Sequence, residues 1–483
     1  MAVPAIHGRP APDFLFPFFV RHGDHSHAVT APLFPLATAP LLWMFGLRGA
    51  YALPFIAYAA VLVGCGLLSR RLGIAPPTLA IVAVALCSPL VFYALEYWEH
   101  VPAMAAGAWA LLLLISARGW LSAFWGGVLL AITIQLRPEA VWFSATALAV
   151  TAATAGRTRP AVAALGLAAG MIPITAYNLR HFGTLGGLHV SANLAALGAG
   201  WVASRLTFAR TWLGPADSGV AQAALLLLCF GLLRVEARAA RWSAYAGVTL
   251  LSVAALTRAL PRQSLWGTAP FLATAFLPDG QAAPRTRGLL LLMAAGIVIG
   301  VLATAPNDGG AQWGPRYLLL AAMPLALLAA DGTRAAWTRR GIDGWAGRLA
   351  VVAAFGAAVA TTRAGYRDLR SSKRDYAQLA FAIQDATKDV PYLVSNVWWV
   401  DQISAGTRPR TTFLYASDSG RARAALSLTA PDPVLAVTSR EAELATAVRD
   451  WLTDSCYHIA GESTVRVGSV TLHTLECGIA RRD

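Results

Sequence analysis

The chain has 483 residues, of which 57% are hydrophobic and 13% are charged, whereas a soluble globular domain carries roughly 25% charged residues. Apolar runs of about 17 to 20 residues recur between residues 31 and 362, and each is long enough to cross roughly 30 Å of hydrocarbon as a helix. A soluble enzyme is therefore excluded, and the sequence predicts an α-helical polytopic membrane protein. The formal charge of +14 does not indicate a nucleic-acid partner, because the basic residues lie singly and in pairs between the apolar runs.

The predicted membrane spans begin after a proline-bearing stretch. Residues 31–47 are apolar but contain Pro32, Pro35 and Pro40, so we expect a juxtamembrane or re-entrant segment there, with a full span as the alternative. About twelve spans follow, at residues 50–69, 76–95, 101–117, 120–136, 140–156, 160–178, 218–234, 243–259, 265–279, 287–305, 316–331 and 347–363.

Arginines in the connections predict the orientation of these spans. Alternate connections are rich in arginine, for example at Arg70, Arg159 and Arg285, and the positive-inside rule places them in the cytoplasm. The other connections and the C-terminal region then face outward from a bacterial inner (plasma) membrane. With twelve spans the N-terminus is also outward, yet residues 1–30 contain neither a signal peptide nor a first anchor. Either the start lies further upstream, or residues 31–47 cross the membrane.

From about residue 364 the composition becomes polar, and the pattern predicts a small α/β domain without a glycine-rich phosphate loop. Helices are expected at residues 374–388 and 440–452, and strands at 391–395, 411–415, 433–438 and, as a pair, 464–475. The predicted domains are a partial first external loop and juxtamembrane segment at 1–48, a transmembrane domain at 49–363 and an extracytoplasmic α/β domain at 364–483.

Two features of this C-terminal domain leave alternatives open. Cys456 and Cys477 lie in its polar part, and they form either a disulfide, if the domain is extracytoplasmic, or two separate thiols. Trp398 and Trp399 directly follow a predicted strand, where loops of α/β sheets build sites. They are suited to stacking on a sugar, and equally to core packing or contact with the membrane interface.

Several outward connections carry an arginine close to a predicted membrane boundary. Taken singly, each can be a residue that snorkels to the interface. Taken together they favour an anion site, because guanidinium groups stay charged and bind phosphate oxygens bidentately. These arginines are Arg137, Arg180, Arg258, Arg262 and Arg316.

Acidic and histidine residues near the same predicted face supply further candidates. Glu96 and Glu99 flank an aromatic pair, and Glu139 follows Arg137-Pro138. Such carboxylates are either solvated loop residues or partners for nearby arginines, or they act as a general base or as a polar clamp on an acceptor. Asp24 lies among three histidines, at positions 22, 25 and 27, and this group could bind a divalent metal, although its spacing fits no zinc pattern. The alternative is a polar loop that leads into the membrane.

Four segments of the chain carry a family resemblance. They are the proline-bearing stretch at 31–40, Leu136-Arg137-Pro138-Glu139, Ala176-Tyr177-Asn178 followed by Phe182-Gly183, and Gln312-Trp313-Gly314-Pro315-Arg316-Tyr317-Leu318-Leu319. In this order they resemble the GT-C superfamily of membrane glycosyltransferases, in particular the branch of aminoarabinose transferases and protein O-mannosyltransferases. The resemblance covers about residues 20–362, and its most specific piece is Gly314-Pro315-Arg316-Tyr317.

The resemblance implies transfer of a sugar from a polyprenyl-phosphate donor to an acceptor hydroxyl of a glycan, lipid or protein at the extracytoplasmic face. It places Arg316 near the donor phosphate, where we also expect Arg137, Arg258 and Arg262. Glu99 matches a second acidic position of the family. In the family the first acidic position lies in the first external loop, and we expect this sequence to begin inside that loop, downstream of that position. Asp24 is therefore the other candidate base.

The remaining expectations concern substrate, cofactors and partners. Substrate-binding candidates are Glu96, His100, Tyr177, Asn178 and Tyr317. The activated bond comes with the lipid, so the reaction needs no nucleotide. No cofactor is assigned, and the sequence leaves open whether the protein uses a divalent metal. Membrane lipids are expected partners. A transporter or a non-catalytic glycolipid-binding protein is the alternative function, but charges collect at the ends of the spans and no internal repeat is evident, which favours the enzyme.

Overall fold

Contacts along the chain divide it into a helical unit, Ala31–Tyr366, and a mixed unit formed by Met1–Thr30 and Arg367–Asp483. The expected boundary at residues 363 and 364 lies close to this division, and residues 1–30 group with the C-terminal residues and not with residues 31–48. The computed structural model describes residues 4–16, 19–22, 25–28, 31–116, 119–188, 190–191, 201–214, 219–233, 238–278, 280, 282–307, 313–403, 411–439, 451–452, 456–465 and 470–477.

The helical unit is built from fourteen described helices and the first part of a fifteenth. They are α1 Leu33–Phe45, α2 Ala52–Leu72, α3 Pro77–Leu86, α4 Leu90–Ala94, α5 His100–Ser116, α6 Trp120–Leu136, α7 Ala140–Ala155, α8 Thr158–Phe182, α9 Trp201–Leu213, α10 Gly219–Leu233, α11 Arg238–Leu256, α12 Leu265–Thr268, α13 Pro284–Thr304, α14 Leu319–Thr338 and α15 Gly341–Ala386.

The helical unit has the character of a polytopic membrane protein. Five of its described stretches are long and apolar enough to cross a membrane: Leu33–Leu72, Thr158–Phe182, Pro284–Thr304, Arg316–Thr338 and Gly341–Ala386. Five shorter apolar helices of 10 to 17 residues accompany them. An integral membrane protein is therefore confirmed in outline, and the number of twelve spans stays a prediction.

The proline-bearing stretch at the start of the helical unit forms a short helix. Helix α1 has 13 residues and is about 20 Å long at 1.5 Å per residue, which is less than the hydrocarbon thickness. A 3₁₀ turn over Gly46–Tyr51 follows, and Gly49 approaches α1 so closely that a Cβ there would lie 1.9 Å from the carbonyl oxygen of Leu41. This reversal favours the juxtamembrane or re-entrant interpretation.

Two predicted spans are broken. The span predicted at 76–95 divides into α3 and α4 at Pro89, which lacks the N–H that a continuous helix needs. The span predicted at 265–279 is wrong as an α-helix, because a 3₁₀ segment over Pro270–Phe276 follows the four-residue helix α12. Residues 270–275 are all buried, and non-helical backbone at membrane depth is tolerated where protein surrounds it.

The mixed unit contains a five-stranded sheet in the order β6-β5-β7-β9-β8. Strand β5 is parallel to β6 and β7, while β9 is antiparallel to β7 and β8. The described residues of the unit also form two short hairpins, two short helices and the end of α15. The strands and these helices are β1 Ala5–Ile6, β2 Arg9–Pro10, β3 Phe19–His22, β4 His25–Ala28, β5 Tyr392–Ser395, α16 Val400–Ile403, β6 Thr412–Tyr415, α17 Ser419–Thr429, β7 Val434–Ser439, β8 Tyr457–Val465 and β9 Val470–Cys477.

The expected α/β character of the C-terminal region is confirmed. The first three strands lie where the sequence predicts them, and the helix predicted at 374–388 forms the end of α15. The predicted strand pair is longer than expected, and Cys456 and Cys477 form a disulfide across it. The predicted helix at 440–452 lies outside the described residues apart from its last two. Ile6 and Phe14 from the N-terminal part pack in the same core as the sheet.

Candidate active site

One end of the helical unit brings two carboxylates to a buried arginine. Arg137 follows α6 in an extended conformation, the conformation that the proline after it favours, and it is 8% exposed. Its Nη1 donates to Oε1 of Glu99 at 2.8 Å, and its Nε donates to Oε1 of Glu139 at 2.6 Å. Its Nη2 forms a further ion pair with Glu139. All three guanidinium nitrogens of Arg137 therefore contact a carboxylate.

A second arginine, Arg316, lies against the ring of Tyr317, which Arg137 also contacts. The guanidinium carbons of Arg137 and Arg316 are 5.4 Å and 4.8 Å from the centre of the Tyr317 ring, within the range of a cation–π interaction. Nη2 of Arg316 donates to the Tyr317 hydroxyl at 3.0 Å and to Oδ1 of Asn307 at 3.4 Å. The Tyr317 hydroxyl in turn donates to Oδ1 of Asn307 at 3.0 Å. Tyr317 thus joins the two arginines into one cluster.

His100 is a buried member of this end of the unit. It is 5% exposed, and its ring lies 5.1 Å from the ring of Trp98 and 4.9 Å from that of Tyr93. Neither ring nitrogen has a hydrogen-bond partner among the described residues. Arg137 and Arg316 are both close enough to interact electrostatically with the imidazole. Since an unsatisfied buried polar group costs about 1–3 kcal/mol, the imidazole is suited to bonding a ligand that enters here.

The segment before Arg316 is fixed by close packing. Gly314 has a φ of +81°, and a Cβ on it would lie 2.9 Å from the Cβ of Pro89, so glycine is required there on both counts. Its N–H donates to the carbonyl of Arg262 at 2.9 Å. The guanidinium of Arg262 lies 6.0 Å from the Trp313 ring. Arg262 therefore borders the segment that positions Arg316.

The predicted site residues divide into four groups. Six of them come together. The contacts given above join Glu99, His100, Arg137, Arg316 and Tyr317. Glu96 belongs with them because it interacts electrostatically with Tyr93, whose ring lies next to that of His100. Arg262 lies at the edge of this cluster. The described contacts of Arg258, Tyr177 and Asn178 are local to the ends of their own helices. Asp24 lies outside the described residues.

The cluster has three further contributors. Pairing with a nearby arginine is one of the interpretations that the sequence leaves open for Glu139, and Glu139 does pair with Arg137. The sequence does not single out Asn307, and Trp212 belongs to α9, a helix that the sequence does not predict. The Trp212 ring is 1% exposed and lies 5.6 Å from the Tyr317 ring. The adjacency of Glu139 to Arg137-Pro138 was a usable signal, whereas the other two depend on tertiary packing.

The described residues offer little to a metal ion. No group of three or more histidine, cysteine, aspartate or glutamate side chains suited to metal binding occurs among them. The Glu99 and Glu139 carboxylates of the cluster both pair with Arg137 through Oε1. Asp24, between the histidines at positions 22 and 25, lies outside the described residues.

Comparisons with known proteins agree with this architecture. No protein-family model and no curated protein sequence matches the chain. Among solved structures, ArnT from Cupriavidus metallidurans bound to undecaprenyl phosphate is similar to 96% of this chain over 90% of its own length, at 13% identity and a TM-score of 0.50. The apo state of the same protein is similar at 11% identity and a TM-score of 0.46, and the match covers 95% of this chain and 90% of that one. An oligosaccharyltransferase from Archaeoglobus fulgidus, in complex with zinc and sulfate, is similar at 15% identity and a TM-score of 0.49. That match covers 95% of this chain and 65% of the other.

The likeness to ArnT concerns the fold. The chain shares the fold of ArnT, and its long apolar helices are those of an integral membrane protein. This is the kind of fold that the resemblance of its sequence segments predicts. At 13% identity the comparison assigns no substrate, and the function is argued from the cluster itself.

Proposed function

We propose that the chain is a membrane glycosyltransferase that moves a sugar from a polyprenyl-phosphate donor to an acceptor hydroxyl at the extracytoplasmic face. The observation that carries this proposal is the cluster of Glu99, Arg137, Arg316 and Tyr317 at one end of the helical unit. The GT-C fold supports it, since the similar ArnT structure holds undecaprenyl phosphate. The donor sugar and the acceptor stay open.

The two arginines of the cluster have different roles in this proposal. The guanidinium of Arg137 is surrounded by Glu99 and Glu139, so it serves to position Glu99. Nη2 of Arg316 donates to the neutral groups of Asn307 and Tyr317, and Arg316 is less deeply buried than Arg137. A donor phosphate can therefore reach Arg316 and offer charged oxygens to it in place of these neutral acceptors.

Transfer then follows as a displacement. The acceptor hydroxyl oxygen forms a bond to the anomeric carbon of the sugar, and the bond from that carbon to the phosphate oxygen breaks. The electron pair leaves with the polyprenyl phosphate, whose charge Arg316 stabilises. Glu99 accepts the hydroxyl proton, for which its side chain is accessible at 26% exposure. His100 and Glu96 provide polar contacts for the sugar or the acceptor.

The experiment combines donor binding with transfer in lipid nanodiscs. A panel of radiolabelled polyprenyl-phosphate sugars is tested with membrane extracts as the source of acceptor. Arg316→Ala should weaken donor binding at least tenfold, and Arg316→Lys should recover only part of it, because lysine keeps the charge and loses the planar fork. Arg340, an exposed arginine of the connection between α14 and α15, supplies the control variant Arg340→Gln, which should bind donor normally. Equal binding by all four proteins would refute the role of Arg316.

A non-catalytic glycolipid-binding protein is the second candidate function. The engagement of Glu99 by Arg137 is an arrangement that such a protein could also use to hold a lipid phosphate nearby. This alternative predicts donor binding that depends on Arg316 without any transfer from the whole panel. Transfer with any one donor excludes it.

A further inference from the structure

A cavity lies at the end of the helical unit opposite to the candidate active site. It is bordered by α2, α5, α7, α8 and α13, and Ile115 and Ala155 line it from the last residues of α5 and α7. The same two helices begin at His100 and Ala140, beside the cluster of Glu99 and Arg137. The 17 residues of α5 correspond to about 25 Å at 1.5 Å per residue. The cavity is therefore separated from the active-site cluster by most of the height of the bundle.

The cavity is apolar and small. Its volume is about 120 Å³, and eight of its eleven lining residues are hydrophobic, among them Leu111, Leu290 and Met293. The hydroxyl of Thr154, one of the other three, donates to the carbonyl of Val150 at 2.9 Å. An apolar cavity of about 150 Å³ stays dry and holds a molecule of the size of benzene. This cavity is accordingly suited to a short stretch of hydrocarbon chain.

Two arginines flank the cavity. Arg159 lines it directly, and Arg285, which precedes the lining residue Thr286, donates through Nη2 to the carbonyl of Ala153 on α7. Both arginines lie in the first turn of their helices, where the helix dipole also favours an anion. Together with the apolar interior, they present positive charge beside hydrocarbon-sized space.

Among the described residues, Arg159 and Arg285 differ from other arginines of the helical unit in their ion pairing. Arg287 lies 3.7 Å from the buried carboxylate of Asp331, and Arg241 lies 3.4 Å from the partly buried carboxylate of Asp343. By contrast, the ion pairs of the described residues include neither Arg159 nor Arg285. A ligand with an anionic group would supply the missing counter-charge.

We propose that this cavity binds an anionic phospholipid of the bilayer, with part of one acyl chain in the apolar space and its phosphate on Arg159 and Arg285. Basic pockets between membrane helices on the arginine-rich side are suited to such lipids, and guanidinium groups bind phosphate oxygens bidentately. The charge complementarity and the position at the helix ends favour a phospholipid of the adjacent leaflet. The site is distinct from the proposed donor site, which lies at the other helix ends.

The test measures lipid binding to the full-length protein in detergent by native mass spectrometry and by thermal unfolding. Phosphatidylglycerol should bind the unaltered chain and raise its melting temperature more than phosphatidylcholine does. The double variant Arg159→Gln/Arg285→Gln should bind phosphatidylglycerol at least tenfold more weakly, whereas Arg340→Gln, a change at an exposed arginine outside the cavity lining, should bind it normally. An equal response of the unaltered chain to both lipids, or an undiminished preference in the double variant, would overturn the proposal.

A second variant keeps the test decisive if the double variant does not fold. Ala155→Phe fills the cavity and leaves both arginines in place, and it should also lose most of the bound phosphatidylglycerol. Retained binding in that variant would show that no acyl chain occupies the cavity and would refute the site as proposed. Displacement of the phospholipid by polyprenyl phosphate at equal concentration would likewise assign the cavity to the donor lipid and overturn the proposal.

Discussion

The sharpest prediction compares the two carboxylates that share Arg137. Glu99→Gln retains an oxygen that can accept from Nη1 of Arg137, which donates to it at 2.8 Å, but it removes the proton acceptor. We expect transfer to fall by about 10²-fold or more, the usual scale for a general base. This corresponds to about 2.7 kcal/mol of transition-state stabilisation, at about 1.36 kcal/mol per tenfold. Donor binding should stay nearly unchanged.

Glu139→Gln is the matched control, because it changes the same functional group on the same arginine. Glu139 contacts both Nε and Nη2 of Arg137, and its side chain is 12% exposed, compared with 26% for Glu99. Its replacement should therefore disturb Arg137 at least as much as Glu99→Gln does, and a hydrogen bond to a charged group contributes about 1.5–3 kcal/mol of stability. Transfer per folded molecule should nevertheless fall far less than in Glu99→Gln.

The assay is single-turnover transfer from the labelled donor that the panel identifies, with donor binding and melting temperature measured on the same preparations. An equal loss of transfer in the two variants would mean that Glu99 acts only through Arg137, and the base assignment would be refuted. Unchanged transfer in Glu99→Gln would place the base on another residue, and Asp24→Asn is then the next variant to test.

Three further predictions concern the mixed unit. A reporter that fluoresces only in the cytoplasm, fused after Asp483, should stay dark if the arginine-rich connections are cytoplasmic, and bright cells would reverse the proposed orientation. Cys456 and Cys477 should resist alkylation in the intact protein and react only after reduction, as mass spectrometry of the peptides can show. Burial lowers the pKa of His473 despite the opposing effect of Glu462, so protonation favours the unfolded state, and stability that is present above about pH 6.5, the ordinary pKa of histidine, should be lost as the pH falls further. Hydrogen exchange of the β8 and β9 peptides in the full chain, corrected for the intrinsic rate, should therefore accelerate below that pH, and His473→Gln should remove most of this dependence.

Much of the fold was predictable because the signals are local. The strands β5, β6 and β7 are short apolar runs bounded by polar residues, and the sequence predicts them within one or two positions. Most helices of the helical unit likewise follow apolar runs of sufficient length. Hydropathy gives a wrong prediction where a stretch is apolar because it is buried and not because it forms a membrane helix. The apolar residues 265–279 predict a span, yet part of this stretch is a 3₁₀ segment packed inside the protein.

Helix α9 shows the opposite failure of hydropathy. It carries Arg205 and Arg210, so no apolar run marks it. In the fold, Nη1 of Arg205 donates to the carbonyls of Leu302 and Ala305 at 2.9 Å and 2.6 Å, which are among the groups that the end of α13 leaves without helical partners. Since these partners lie about a hundred residues away in the sequence, only the tertiary structure explains why this charged segment forms a helix.

The candidate site was predictable as a set of residues but not as an arrangement. Each arginine and carboxylate stands out in the sequence as a charged residue near a span boundary, but the 38-residue separation of Glu99 and Arg137 hides the ion pair between them. Because of that pair, Arg137 holds a carboxylate in place, and this role cannot be recognised from the positions of the two residues in the sequence.

The geometry of the site depends on places where the helical backbone is interrupted. Pro138 ends α6 and lets Arg137 turn toward Glu99, and Gly314, at a φ of +81°, packs against Pro89 at the break between α3 and α4. Helix α14 begins only after a 3₁₀ turn over Arg316–Leu318, which sets Arg316 and Tyr317 at the edge of the membrane-spanning helix and not within it. Charged side chains are costly inside hydrocarbon, so a membrane protein that presents cations to a lipid phosphate, as we propose for this chain, gains from placing them at such interruptions. Partly buried carboxylates and aromatic rings can support the cations there.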